Sequence, residues 1–278
     1  MSVPVDLTSI ATGLREVEPG LLESASNHLV SYPESRHGGC YSVEDASFWF
    51  GHRNRCITST VARFPPGGMI FDIGGGNGFV TGALREAGFP SVLVEPGRSG
   101  IDNARARGLT PVVWSTFEDA GFRSQSLAAA GLFDVLEHIE DDVAFLREVR
   151  DCLVPGGRLY LTVPAYQLLW SHEDKVVGHW RRYRRSSLTA VLDKAGFDVK
   201  HISHLFWFLP VPILLFRVLP SMLRPHAESL SRQVEQDHSL SGLSRRLVAV
   251  LLNPELAMVA RGRRIPIGSS IVAVAERA

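Results

Sequence analysis

An excess of charge of either sign is missing from this 278-residue chain. Its 29 lysines and arginines balance 29 aspartates and glutamates, and the isoelectric point is about 7.2. Neutrality removes the general electrostatic case for a nucleic-acid partner or an anionic membrane. Cysteine is scarce as well. Cys40, Cys56 and Cys152 stand far apart with no C-x-x-C pairing, which argues against a disulfide scaffold or structural zinc and suits a reducing cytoplasm. Residues 1–6 carry no basic stretch leading into an apolar core, so no signal peptide is expected. The apolar stretch 205–219 is too short to span a bilayer and is interrupted by Pro210, Pro212 and Arg217. No internal repeat or low-complexity tract is evident. What is present is 45% hydrophobic, enough for a large core, and one domain with elaborations is the expectation.

Glycine, by contrast, is concentrated. Phe71, Asp72 and Ile73 lead into Gly74, Gly75, Gly76, Asn77 and Gly78: an apolar run ends in an acid, and glycines follow at every second position. This predicts a buried strand, a tight turn and a helix, with no side chains between a ligand and the backbone. The dinucleotide fingerprint G-x-G-x-x-G does not fit, because Phe79 stands where the third glycine is required after Gly74 and Gly76. The register that fits is Asp72, Gly74, Gly76, Gly78. A carboxylate at that strand end repels a pyrophosphate and can receive an ammonium.

At this point the chain resembles the class I methyltransferases that use S-adenosylmethionine, and further segments extend the likeness. Residues 91–95 form a second strand ending in Glu95, placed to accept hydrogen bonds from both hydroxyls of a ribose. Residues 112–114 read as a third strand. In the family the loop after it lies on the adenine, so the resemblance implies backbone and ring contacts from Thr116 and Phe117, Phe117 being otherwise core. Residues 131–142 match a strand ending D-V-L-E-H-I. There the resemblance places Phe133 and Asp134 beside the methionine half of the cofactor, and Glu137 and His138 at the acceptor pocket. His138 is the candidate general base, its usual pKa range suiting proton removal near neutrality; the alternative is that it fixes the loop. Pro155, Gly156 and Gly157 feed the fifth strand.

Four regions follow. Residues 1–65 read as a helical lead-in with a loop at 32–39, ending in an aromatic and basic stretch. There Arg53 either pairs with the methionine carboxylate or faces water while Phe48, Trp49 and Phe50 staple the helix to the core. Residues 66–164 alternate strands and helices, the pattern of a parallel sheet covered on both faces. Residues 164–185 form a loop rich in His, Arg, Trp and Tyr beyond the end of strand five, where open α/β sheets bind ligands. Its W-S-x-x-D and G-H-x-R-R-Y pattern recurs in a bacterial subgroup of the family. Trp170, His179, Arg182 and Tyr183 are its candidate acceptor contacts; an internal network of Arg181 and Arg182 with Glu173, Asp174 or the family's acids is the competing reading. His172, Glu173 and Asp174 are adjacent and do not aim at one point, so no metal is expected. A helix starting at Ser186 or Ser187 buries Leu188, Val191 and Leu192 and stops before Gly196. Between strands six and seven lies an insertion over 208–265. Its apolar segment is a lid over a greasy acceptor, a dimer contact, an element touching a membrane surface, or simply core.

The expected architecture is thus a Rossmann-like, seven-stranded, mostly parallel sheet with its last strand antiparallel and helices on both faces. A helical cap covers 1–65, and the methyltransferase domain covers 66–278. The expected activity is transfer of a methyl group from S-adenosylmethionine to a small-molecule, hydrophobic or natural-product-like acceptor in the cytoplasm. The alternatives are a non-catalytic cofactor-binding or scaffold protein and methylation of a lipid-linked or saccharide acceptor at a membrane surface. No nucleic-acid partner is expected.

Overall fold

The parallel strands at the centre of the molecule are apolar on both faces, as strands covered on both sides must be. β3 (Ile70–Ile73) and β4 (Ser91–Glu95) are buried at every position. The computed structural model describes residues 6–25, 44, 47–223 and 242–278; the loop at 32–39, Cys40 and Leu240 lie outside the described residues.

The chain begins with a helical turn, Leu7–Ile10, and a hairpin of β1 (Leu14–Glu18) and β2 (Leu21–Ser24). It continues with α1 (Phe48–Arg63), β3, α2 (Phe79–Glu86), β4, α3 (Arg98–Ala106), β5 (Val112–Trp114), α4 (Phe117–Ala120) and β6 (Leu127–Phe133). Then come α5 (Asp142–Cys152), β7 (Leu153–Pro164), α6 (His172–Val176), α7 (Arg185–Lys194) and β8 (Phe197–Leu205). A helical run starts with α8 (Pro210–Ile213) and passes through a π-helical turn, Leu214–Val218, to Leu219–Leu223. α9 (Gly242–Ala260) and β9 (Ser270–Arg277) complete the chain. The sheet order is β1-β2-β5-β4-β3-β6-β7-β9-β8. From β2 through β7 the neighbours are parallel, while β9 runs antiparallel to both β7 and β8.

Seven of these strands are the expected ones. The other two correct the helical reading of the lead-in: β1 and β2 extend the sheet beyond β5, with Leu21, Leu22 and Glu23 paired to Val112, Val113 and Trp114. β1 buries only Leu14 and turns Arg15, Glu16 and Glu18 to solvent. Too few apolar residues alternate there to announce a strand, and the charges suit an exposed sheet edge. The helix expected from residue 186 or 187 starts at Arg185. It buries Leu188 and Leu192 and half-buries Val191.

α1 starts at Ser47, whose hydroxyl accepts from the Trp49 and Phe50 amides at 3.2 and 3.5 Å, a side-chain N-cap. α9 lies against α1, with Leu252, Leu256 and Val259 in one apolar cluster with Cys56, Phe206 and Trp49. Leu252 is buried there, while Leu251 is turned outward.

Candidate active site

The glycine turn sits between β3 and α2 at the carboxyl edge of the sheet. Gly74, Gly76 and Gly78 all have positive φ, at 67°, 56° and 72°, which only glycine adopts freely. Their roles then diverge. A Cβ on Gly74 would come within 3.0 Å of the Val135 side chain, and Gly74 through Asn77 line one large cavity of about 1270 Å³. Gly78 does not reach it. A Cβ there would lie 2.4 Å from Leu109 and 3.0 Å from Ala104, so this glycine, expected at the cofactor, instead lets α2 pack on α3.

Asp72 is a second correction. The expected ammonium acceptor is 0% exposed, accepts from the Thr81 hydroxyl at 2.6 Å, and lies beneath the turn, where a Gly75 Cβ would strike it at 2.6 Å. Burial raises its carboxyl to about 6 against the pull of the Thr81 hydrogen bond. Asp72 braces the turn from below.

Glu95 ends β4 on the cavity wall. Its Oε2 accepts from Gly76 N at 2.8 Å and its Oε1 from Gly97 N at 2.7 Å. Burial raises this carboxyl to about 7, opposed by those two amides. One side chain thus fixes Gly76 and stands on the cavity wall at the place where the resemblance puts a ribose. Beyond β5, the Thr116 hydroxyl caps α4 by accepting from Asp119 N at 3.1 Å and donates to Asp119 Oδ2 at 2.9 Å. Thr116 thus has its backbone to offer. Phe117 lines the cavity and packs on Phe122 and Phe145, so the ring is core as well as cavity wall.

At the end of β6, Phe133 and Asp134 reach the same cavity. Asp134 has a positive φ of 59°, a strained position for a residue with a Cβ that is typical of functional sites. Its carboxylate accepts from Thr162 Oγ1 at 3.1 Å and pairs with Arg53 Nη1. The Arg53 guanidinium lies 5.0 Å from the Trp49 ring centre and 5.4 Å from that of Phe50. Its Nε is buried without a hydrogen-bond partner among the described residues. The two readings of α1 therefore merge: the aromatics do staple the helix, and the arginine faces the cavity.

The loop 164–185 divides. Arg181 donates to Asp142 Oδ2 at 2.8 Å, and Tyr183, 2% exposed, donates to the same oxygen at 2.8 Å. Burial and the Asp142 charge raise the Tyr183 hydroxyl far above its ordinary value. Tyr183 and Trp170 are not on the cavity wall, whereas His179, Arg182 and Asp174 are. Tyr183 anchors the loop and Trp170 closes a 3₁₀ turn, Gln167–Leu169, so neither holds the position expected at the acceptor. Asp174 is the hub. It accepts from His179 Nδ1 at 2.8 Å, from Arg182 Nε at 2.7 Å and Nη2 at 3.0 Å, and from Ser171 N at 2.8 Å. Burial alone would raise its carboxyl; the bonds from His179 and Arg182 overcome that and hold it at about 2.

His138 stacks edge-on to His179 with ring centres 4.7 Å apart. Burial, then the neighbouring His179, push its pKa down to about 4. That corrects the expectation of a base tuned to neutrality: His138 is a neutral and weakly basic ring. Glu137 beside it is 1% exposed; burial and then the Asp134 charge raise its carboxyl well above the ordinary range. The ligating atoms of Glu137, His138 and His179 lie within 4.8 Å of one another, as do those of His52, Cys56 and Glu255 behind α1. In the second trio Glu255 already accepts from the Phe206 and Trp207 amides at 2.7 and 2.8 Å.

Sequence reasoning missed Glu44, whose carboxylate accepts from Asn77 Nδ2 at 3.1 Å and pairs with Arg107 at 2.9 Å at the cavity rim. An acid beside Asp45 in a motif-free stretch gives no signal of that. The competing reading of the loop, Arg182 paired internally with Asp174, is what the structure shows; that Asp174 also takes His179 was not read from the motif.

The residues fit S-adenosylmethionine. The open backbone of Gly74–Asn77, the paired acceptors of Glu95 and the partnerless Arg53 Nε match a backbone-hugging chain, a ribose and a carboxylate in that order. Comparison with known proteins agrees. A methyltransferase-domain family model matches residues 49–202. The ubiquinone biosynthesis O-methyltransferase of Xanthomonas axonopodis pv. citri is 26% identical over 162 residues, 51% of this chain and 68% of the relative. The chain is similar in fold to a SAM-dependent methyltransferase of Thermotoga maritima, with a TM-score of 0.54, 17% identity, and coverage of 88% of this chain and 95% of that one. A chain from the complex of a Haloferax volcanii methyltransferase with the Trm112 methyltransferase activator gives the same TM-score at 18% identity, over 88% and 93%. The glycine turn, the sheet order and the matched domain thus converge on one assignment, and this chain belongs to the class I S-adenosylmethionine-dependent methyltransferases.

Proposed function

We propose that the enzyme methylates an oxygen on a small-molecule acceptor with an apolar body. The observation that carries this is the two-sided cavity beyond Phe133 and Asp134. Glu137, His138, His179 and Arg182 form a polar side, and Phe208, Leu209, Pro212 and Ile213 from the insertion form an apolar one. A volume of about 1270 Å³ exceeds the roughly 300–1,000 Å³ of a pocket for one drug-sized ligand, which leaves room for an acceptor beside the cofactor. The name of the Xanthomonas relative supports oxygen as the methylated atom.

When bound, S-adenosylmethionine supplies an electrophilic methyl on a sulfonium. This chain's residues do the remainder. In this reading Gly74, Gly76 and Glu95 hold the nucleoside half, Thr116 and Phe117 border the base, and Phe133, Asp134 and Arg53 hold the amino-acid half. The polar cluster orients the acceptor hydroxyl while the apolar wall excludes water. Within the domain 66–278, we assign the insertion 208–265 to the acceptor and the segment through residue 65 to closing the cofactor end. The cytoplasm is the compartment proposed, in keeping with the free thiols Cys56 and Cys152.

A second reading, a lipid-linked acceptor taken from a membrane surface, is favoured by the exposed apolar side chains Trp207, Val211, Leu215, Phe216 and Leu219. No helix among the described residues is long and apolar enough to cross a membrane. The test is incubation of the protein with methyl-labelled cofactor and a cell extract, followed by solvent partition and mass spectrometry. Label in an organic-soluble small molecule supports the proposal, and in a lipid-linked one the second reading. Label confined to protein or nucleic acid overturns both.

A further inference from the structure

We infer that His179 is the proton acceptor for the acceptor hydroxyl and that Asp174 is its positioning residue, an assignment that rests on methyl transfer to a hydroxyl in this cavity. The argument starts from Asp174. A carboxylate 1% exposed is costly to keep charged unless its lone pairs are met by donors. Arg182 supplies two N–H bonds, the Ser171 amide a third, and the Ser171 hydroxyl lies at 3.3 Å. Oδ1, which also accepts from Arg182 Nε, faces His179 Nδ1 at 2.8 Å. A charged acceptor at that distance requires the proton on Nδ1, which makes Nε2 the bare nitrogen.

Nε2 is the atom on the functional side. His179 lines the cavity, and its Nε2 lies 3.9 Å from Glu137 Oε1. Asp174 fixes the tautomer of the ring from behind and offsets the imidazolium charge, while Glu137, whose carboxyl burial and then the Asp134 charge hold well above the ordinary range, lies on the other side. His138, edge-on to His179, is a weak base, since burial and then that neighbouring ring push its pKa down to about 4. The fold adds rigidity, because the segment is tied at both ends: His179 N donates to Asp174 O at 2.8 Å, and Trp180 N to Glu137 O at 2.8 Å.

The step balances. The acceptor O–H bond breaks and its proton passes to His179 Nε2. The O–C bond forms as the C–S bond breaks, and the electron pair of that bond neutralises the sulfonium to a thioether. The imidazolium then returns the proton to solvent.

The tautomer can be read without any acceptor, from ¹⁵N-histidine NMR of the full-length protein. The expected spectrum gives His179 a protonated Nδ1 and a bare Nε2. An Nε2–H tautomer overturns the inference. Turnover is then measured on the acceptor identified by the labelling experiment. His179→Asn keeps an N–H for Asp174 and removes Nε2. It should lower kcat by about 10²- to 10⁴-fold, the usual worth of a positioned base, with affinity for S-adenosylhomocysteine within about threefold of wild type. Asp174→Asn should lower kcat and shift the ring toward the other tautomer. Undiminished kcat in His179→Asn overturns the assignment even if methylation is real. Failure to label any small molecule overturns the methyltransfer reading instead, with the tautomer still deciding the dyad.

Discussion

Replacing Glu95 with glutamine should weaken the cofactor and flatten the pH dependence of stability together. The carboxylate accepts from Gly76 N at 2.8 Å through one oxygen and from Gly97 N at 2.7 Å through the other. Glutamine has one acceptor oxygen, so its amide nitrogen must face one of those N–H groups, and one ribose hydroxyl loses a charged partner. Such a loss costs about 2–4 kcal/mol, or roughly 30- to 1,000-fold in Kd. Stability should move differently. Burial raises the Glu95 carboxyl from 4.5 to about 7, so between those values the folded state binds more protons than the unfolded one. Stability therefore falls as pH rises through that window, by up to about 3 kcal/mol at ~1.4 kcal/mol per unit, and levels off above it. Glutamine removes that contribution. The assays are calorimetry with S-adenosylhomocysteine at pH 8 and urea unfolding at pH 4.5 and 8. Affinity within threefold of wild type would take Glu95 off the ribose. An unchanged pH slope in Glu95→Gln would show that this carboxyl is not the group titrating.

Other positions make sharper contrasts. Gly78→Ala places a Cβ 2.4 Å from Leu109 at a φ of 72° and should destabilise by about 2–5 kcal/mol. Gly82→Ala, four residues along α2 with open space around it, should stabilise by roughly 0.5–1 kcal/mol; denaturant midpoints compare the two. Tyr183→Phe removes the bond to Asp142, which keeps Arg181, and should cost about 1 kcal/mol of stability with kcat unchanged. Arg53→Lys should weaken S-adenosylhomocysteine by about tenfold or more while leaving methylthioadenosine, which has no amino-acid end, unaffected in the same calorimeter. His138→Gln should leave the rate profile between pH 6 and 8.5 unchanged in shape, since a ring with a pKa of about 4 stays neutral throughout; a lost acid limb would restore it as a base.

The parts of this fold legible in the sequence are those with strong local signals. Continuous apolar runs such as 92–94 end in an acid or a glycine turn, and they gave the parallel sheet and its ligand edge. The hairpin β1–β2 was not legible because its pairing with β5 is long-range and its first strand carries three charges in five residues. At the site, chemical type was readable and direction was not. Asp72 and Tyr183 look like ligand contacts in a motif, yet each is turned inward by one bond, to Thr81 and to Asp142. The burial that shifts His138 comes from the loop 164–185 folding over it, which no local pattern encodes. The motif spacing did bring Asp174, His179 and Arg182 to one place, but only coordinates show the aspartate as their common partner.

The most direct test of the account is a crystal structure of the protein grown with S-adenosylhomocysteine. The account predicts the ribose hydroxyls on Glu95, the chain against Gly74 and Gly76, the amino-acid end at Arg53 and Asp134, and the sulfur opening toward His138 and His179. Ligand density away from the Gly74–Asn77 turn, or in that turn with the ribose turned from Glu95, would contradict it.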